Sequence, residues 1–243
     1  MSLPSTAKGA LLSAAADAPS IGLNALSPPG GLLIVAPHPD DETLGCGEAL
    51  AAAAEAGREI GILLLTDGEG SHPGFARYDR NRLVGLRMKE MRGALEVLAP
   101  GKVISIMRAG LADGRSDLER LGLHRFQRII AYARALGARA VWSTWEGDPH
   151  CDHASAATLG RMVADEIGAR FWRYPIWGRF GDRDIPHDLH TFADRRFETR
   201  KSEAIAAYRS QTTKLIDDDP DGVLIPQEFI DHFAHTPEIF IGG

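Results

Sequence analysis

Residues Leu32 to Gly47 read LLIVAPHPDDETLGCG. Leu32 to Ala36 are all apolar, which predicts a buried strand, and Thr43 to Ala56 carry a helical pattern ended by Gly57. Between them stand His38, Pro39, Asp40, Asp41 and Glu42. Proline fixes its own φ and pushes His38 toward an extended conformation, so the strand ends in a stiff turn. One acid there is explained as a helix cap. A histidine followed by three acids asks for chemistry as well.

The pattern repeats downstream. Ile60 to Thr66 (IGILLLT), Val103 to Met107, Ala140 to Thr144 and Arg170 to Ile176 (RFWRYPI) read as further strands. Helices are predicted over Arg80 to Leu98, Leu118 to Leu136 and Ala154 to Ile167. Beyond them come an edge strand at His190 to Phe197, a helix at Lys201 to Tyr208 and a short helical turn at Gln227 to His232. Strands alternating with helices predict a Rossmann-like α/β fold, an open and mostly parallel sheet with helices on both faces. Residues 1–30, with a surface helix over Thr6 to Ala16 and a Pro/Gly linker, form an N-terminal extension to a single domain at 31–243. In open sheets of this kind, ligands bind outside the carboxyl ends of the strands. The His38 cluster falls at such an end, as do Asp67-Gly68-Glu69 and EGDPHCDH, Glu146 to His153.

The 243 residues are 44% hydrophobic, enough for a sizeable core. A net charge of -6 without a Lys/Arg stripe argues against a nucleic-acid partner. Cys46 and Cys151 make neither a disulfide framework nor a CxxC pair, which fits a reducing, cytoplasmic compartment. Asp17 interrupts the early Ala/Leu stretch too soon for a good signal peptide, and no window reaches the length of a membrane span.

His38 and Asp41 can converge on one point, and His150-Cys151-Asp152-His153 brings further imidazoles. Two histidines and a carboxylate suit Zn²⁺, and the same set suits Fe(II). If His38, Asp41 and His153 are the ligands, Asp40 stands beside them as a general base for metal-activated water. His150, kept cationic by Asp152, then stabilises an oxyanion or protonates a leaving amine.

PHPDDETLGCG with HCDH about 110 residues later resembles the LmbE/PIG-L family of metal-dependent deacetylases, which act on N-acetylglucosamine borne by diverse carriers. LTDGEG (65–70), RMKEMRGALEVL (87–98), LADG (111–114) and KSEAIAAYRSQ (201–211) extend the likeness from Leu32 to Gln211. The resemblance implies zinc on His38, Asp41 and His153, with Asp40 as base and His150 as the catalytic histidine. It also implies contacts from Arg87 and Asp113 to sugar hydroxyls of a small-molecule or glycoconjugate substrate. Cys151 and Glu48 depart from the commoner proline and glycine without removing a ligand. The enzymatic rival is an amidase of the same fold cutting another C-N bond; the non-enzymatic rival is a metal-stabilised binding module.

Taken alone, Arg87 and Glu90 make an ordinary helical ion pair, Asp113-Gly114 a turn, and Glu42 a first-turn acid favoured by the helix dipole. Cys46 reads as a packing residue, DDDPD (217–221) as a solvated loop, and His72, His124, His187, His190, His232 and His235 as surface or core histidines. Trp142, Trp145, Trp172 and Trp177 read as core, with Trp145 placed where it can stack on a sugar ring.

Overall fold

The structure, a computed structural model, describes residues 6–74, 79–182 and 185–242. Two short helices come first, α1 (Ala10–Ala16) and α2 (Leu23–Leu26). The chain then runs β1 (Gly31–Ala36), α3 (Asp41–Glu55), β2 (Glu59–Leu64), α4 (Arg80–Leu98), β3 (Ser105–Arg108), α5 (Gly122–Ala135), β4 (Ala138–Thr144), α6 (Cys151–Ile167) and β5 (Arg170–Tyr174). It closes with β6 (Leu189–Phe192), α7 (Glu198–Ala207), α8 (Arg209–Thr212), α9 (Gln227–His235) and β7 (Glu238–Gly242). Among the described residues the strands form one sheet in the order β3-β2-β1-β4-β5-β7-β6. The first five are parallel, and β7 runs antiparallel to both β5 and β6.

The apolar run of β1 is explained by cover on both faces. Leu32, Ile34 and Ala36 pack under α3, α4, α7 and α9, whereas Leu33 and Val35 face Ile129 and Ala133 of α5 and Leu159 and Val163 of α6. The chain winds outward from β1 through β2 to β3, then returns to place β4 on the other side of β1. The crevice beyond the β1 and β4 ends is therefore the point where strand order reverses, the expected ligand position.

Several boundaries differ from the sequence reading, each for a local reason. The helix expected from Leu118 is broken by Gly122 at φ 67, giving a 3₁₀ turn at Leu118–Leu121 before α5. Helix α6 begins three residues early, at Cys151, with His150 as its N-cap. The turn expected at Gln227 is the nine-residue helix α9. Strand β7 was not anticipated; its five residues are all buried between β5 and β6. The leading segment packs on the domain: Leu11 and Ala15 are buried with Trp145, Leu189, Ile239 and Ile241, and Ile21 N–H donates to Thr191 O at 2.8 Å.

Helix α3 holds one irregularity. Cys46 leaves helical geometry (φ -144, ψ 28), and the helix restarts under the carboxylate of Glu238. Its two oxygens accept the N–H groups of Glu48 at 2.7 Å and Ala49 at 2.9 Å, as a capping acid does. Lys201 neutralises the buried acid at 2.8 Å. Gly45 is required here, since a Cβ would lie 2.1 Å from the Tyr174 ring.

Candidate metal centre and active site

The turn from β1 into α3 carries His38 to Asp41, and the loop after β4 with the first turn of α6 delivers Asp148 to His153 across the crevice. Three imidazoles meet there, with ring centroids 4.7 Å apart for His38 and His150, 5.5 Å for His38 and His153, and 5.3 Å for His150 and His153. His38, Asp41 and His153 present donor atoms all within 4.8 Å of one another, which fits a small divalent cation. Asp41 Oδ2 lies 3.2 Å from His38 Nδ1 and 3.6 Å from His153 Nε2.

The other nitrogen of each ring is backed by a carboxylate. His38 Nε2 lies 3.1 Å from Asp152 Oδ2 and 3.2 Å from Asp113 Oδ1, and His153 Nδ1 lies 2.7 Å from Asp148 Oδ2. Such carboxylates fix the tautomer and orientation of a ligating imidazole. The residues therefore fit a metal: two oriented imidazole nitrogens and one carboxylate converge on one point. Burial opposes the charge of His38, but Asp113, Asp152 and Asp41 outweigh it and hold its pKa well above the usual value. Burial likewise raises Asp41, and His153 and His38 more than reverse it.

Asp40 is buried beside this set at the head of α3, with φ 133 and ψ -30. Among the described residues it is the one non-glycine at positive φ, a conformation costing on the order of 1–3 kcal/mol that surrounding structure must sustain. Burial pushes its carboxyl up to about 7 against the opposing pull of Arg87. That places it where a general base works best near neutrality.

Arg87 is not the surface partner of Glu90. It is buried, and its Nη2 donates to Asp40 Oδ2 at 3.0 Å and Pro39 O at 2.6 Å while Nη1 reaches Gly68 O at 3.4 Å. Its Nε is buried without a hydrogen-bond partner among the described residues. Glu90 instead accepts from Ser210 N at 2.8 Å and Oγ at 2.6 Å. Asp113 stands at the cavity wall, with Oδ2 accepting Gly70 N–H at 2.7 Å.

The expected pairing of His150 with Asp152 is not what forms. Asp152 Oδ2 sits 3.9 Å from His150 Nδ1, and that nitrogen instead accepts the Asp152 backbone N–H at 3.2 Å. Asp152 turns to His38 and to the N–H groups of Gly114 at 2.7 Å and Ser116 at 3.0 Å. Burial, followed by the charges of His38 and His153, pushes the His150 pKa down to about 4. A neutral ring accepting at Nδ1 carries its proton on Nε2, so His150 is a hydrogen-bond donor rather than an imidazolium.

A cavity of about 250 Å³ opens over these groups, its far wall made by Trp177, Gln211, Val223 and Ile225. Trp145 is core, as its apolar reading has it, buried with Leu11 and Ile241, and it is Trp177 that faces the cavity. Asp148 and Glu42 take places that the sequence does not assign them: Asp148 stands behind His153, and Glu42 is wholly buried rather than a helix acid serving only the dipole.

Residues 33–164 match the PIG-L family, described as GlcNAc-PI de-N-acetylase. The chain is 32% identical over 179 residues to the uncharacterized deacetylase YaiS of Escherichia coli K12, covering 71% of this chain and 83% of YaiS. Over 79 residues it is 38% identical to the 1D-myo-inositol 2-acetamido-2-deoxy-alpha-D-glucopyranoside deacetylase of Kineococcus radiotolerans, spanning 31% of this chain but only 22% of that relative. The fold is shared with N,N'-diacetylchitobiose deacetylase from Pyrococcus horikoshii (TM-score 0.57, 18% identity, 75% of this chain and 71% of that one). It is shared too with GalB, the 4-carboxy-2-hydroxymuconate hydratase of Pseudomonas putida KT2440 (TM-score 0.62, 18% identity, 84% and 82%).

Proposed function

The chain belongs to the PIG-L family, and from that premise we propose that it is a metal-dependent hydrolase removing the acetyl group from an N-acetylated amino sugar. The observation that carries this reading is the geometry around Asp41, where two carboxylate-backed imidazoles converge beside a buried acid held in a strained turn. A binding module has no use for that spare acid.

A zinc ion, or iron(II), held by His38, Asp41 and His153 would supply Lewis acidity to the attacking water and the acetamide carbonyl. Asp40 takes the proton of that water, its carboxylate oriented by Arg87. His150 Nε2–H donates to the oxygen on which negative charge develops. As the C–N bond breaks, the proton held by Asp40 passes to the leaving nitrogen, giving acetate and a free amine. Asp113, at the cavity wall, is the acceptor for a sugar hydroxyl. Arg87 orients the base through Nη2 and also lines the cavity, where it is the partner for a sugar hydroxyl alongside Asp113.

The cavity is small for a whole glycoconjugate, so it suits the amino-sugar unit with the carrier left outside. The free thiols Cys46 and Cys151 favour a cytoplasmic location, and no helix among the described residues is long and apolar enough to cross a membrane. Because a hydratase shares the fold, the test is a panel of N-acetylglucosamine, its inositol glycoside, N,N'-diacetylchitobiose and a non-sugar amide. Acetate release and metal content are measured on the same preparation. Acetate from the amino sugars alone supports the reading; turnover confined to the non-sugar amide favours the amidase, and none at all with full metal favours the binding module.

A further inference from the structure

We propose that Glu42 and Tyr208 are positioning residues that hold the general base Asp40 in its working conformation by gripping its backbone amide. This rests on the reading of Asp40 as the base. The φ of 133 at Asp40 is not one a side-chain-bearing residue keeps unaided. Three sets of contacts hold it. Its carbonyl accepts from Thr43 N at 2.9 Å and Leu44 N at 2.8 Å, the first bonds of α3. Arg87 holds the side chain through Oδ2 and the preceding carbonyl of Pro39. The amide N–H donates to Glu42 Oε2 at 3.2 Å.

That last contact depends on where the Glu42 carboxylate points, and the carboxylate is wholly buried. A first-turn acid serving only the helix dipole stays in water and needs no partner. Glu42 Oε1 instead accepts the Thr43 hydroxyl at 2.8 Å and the phenol of Tyr208, from the junction of α7 and α8. Tyr208 is itself buried, so the pair is fixed in place. The chain of contacts runs from Tyr208 through Glu42 to the Asp40 amide, and with Arg87 it clamps the base from both sides. Among the described residues no hydrogen bond falls on Asp40 Oδ1, the oxygen left for the proton.

The test is a set of variants in the zinc-loaded protein, with kcat, KM and bound zinc measured on the best amino-sugar substrate of the panel. Tyr208→Phe is expected to lower kcat about tenfold with KM within about twofold, since displacement of a reacting group acts on the rate step. Bound zinc is expected at the parental level. In the Asp40→Asn background the same change is expected to cost less than about twofold, because no base remains to be positioned. Glu42→Gln, which turns one acceptor oxygen into a donor, is expected to repeat the pattern if Tyr208→Phe folds poorly. Equal losses in the two backgrounds, or a loss expressed only as missing zinc or raised KM, overturn the proposal while leaving Asp40 as base. Parental turnover in Asp40→Asn alone overturns the base assignment, and the proposal with it.

Discussion

The imidazoles of His38 and His153 each show one nitrogen to the shared centre and the other to an acid, and this division fixes what single substitutions do. His153→Ala is expected to reduce bound zinc well below one equivalent, because three protein donors leave little redundancy. Asp148→Asn keeps every donor but loses the charge behind His153 Nδ1, so zinc affinity should fall about 10- to 100-fold; competition against a fluorescent chelator reads both. His150→Ala is expected to retain its metal and to lose kcat and kcat/KM together, by about 10²- to 10³-fold, as for an oxyanion donor. Loss of zinc in that variant would make His150 a ligand. That His38, Asp41 and His153 lie together was legible because their two motifs follow β1 and β4, the neighbouring strands that flank the switch point. The role of Asp152 was not. With His150 in an extended N-cap conformation, its ring folds back on the helix N–H, and the Asp152 carboxylate crosses to a histidine 114 residues away. Spacing along the chain cannot foretell that exchange.

Helix α9 supplies the ring wall behind the cavity: Phe229 and Phe233 pack edge-on against Trp177 with centroids 5.9 and 6.0 Å away. Its His232 lies 5.0 Å from the Phe180 ring, and burial, then Arg179 and Lys201, push its pKa down to about 3. The folded state thus resists a proton that the unfolded chain accepts near 6.5. Stability from this group is present above 6.5 and is lost as pH falls through 6.5 toward 3. Denaturant unfolding of His232→Phe against the parent should show the variant gaining up to about 2 kcal/mol between pH 7 and pH 5; a constant difference across that range would contradict it. Strongly periodic or wholly apolar elements, such as β1, β2 and α4, were readable from sequence. The C-terminal part was less so, since α9 and β7 owe their form to packing. Glu238 opens β7 as a charged residue that is fully buried, because α3 needs a cap at its break and Lys201 supplies the counter-charge.

At the scale of the whole molecule, the parallel half of the sheet sets out the active groups and the antiparallel end supports the loops that enclose them. Helix α1 braces that end. Ala10 N–H donates to Gly181 O at 3.2 Å, next to the 3₁₀ turn Trp177–Phe180, and Leu11 is buried against Leu189, Ile239 and Ile241. Deleting residues 1–18 is therefore expected to cost about 3 kcal/mol of stability, from the exposed partners of Leu11 and Ala15, seen as a lower Tm. An unchanged Tm would return the segment to the role of a loose extension. The site itself is expected to stand or fall with its cation. The most direct measurement is acetate release from an N-acetylglucosamine-type substrate by three preparations: the metal-depleted chain, the same chain with about one equivalent of zinc restored, and Asp40→Asn carrying that zinc. The account expects turnover only on restoration of the metal, and at least about 10²-fold less in Asp40→Asn at equal zinc content. Full turnover by the metal-depleted chain, or parental turnover by Asp40→Asn, would contradict it.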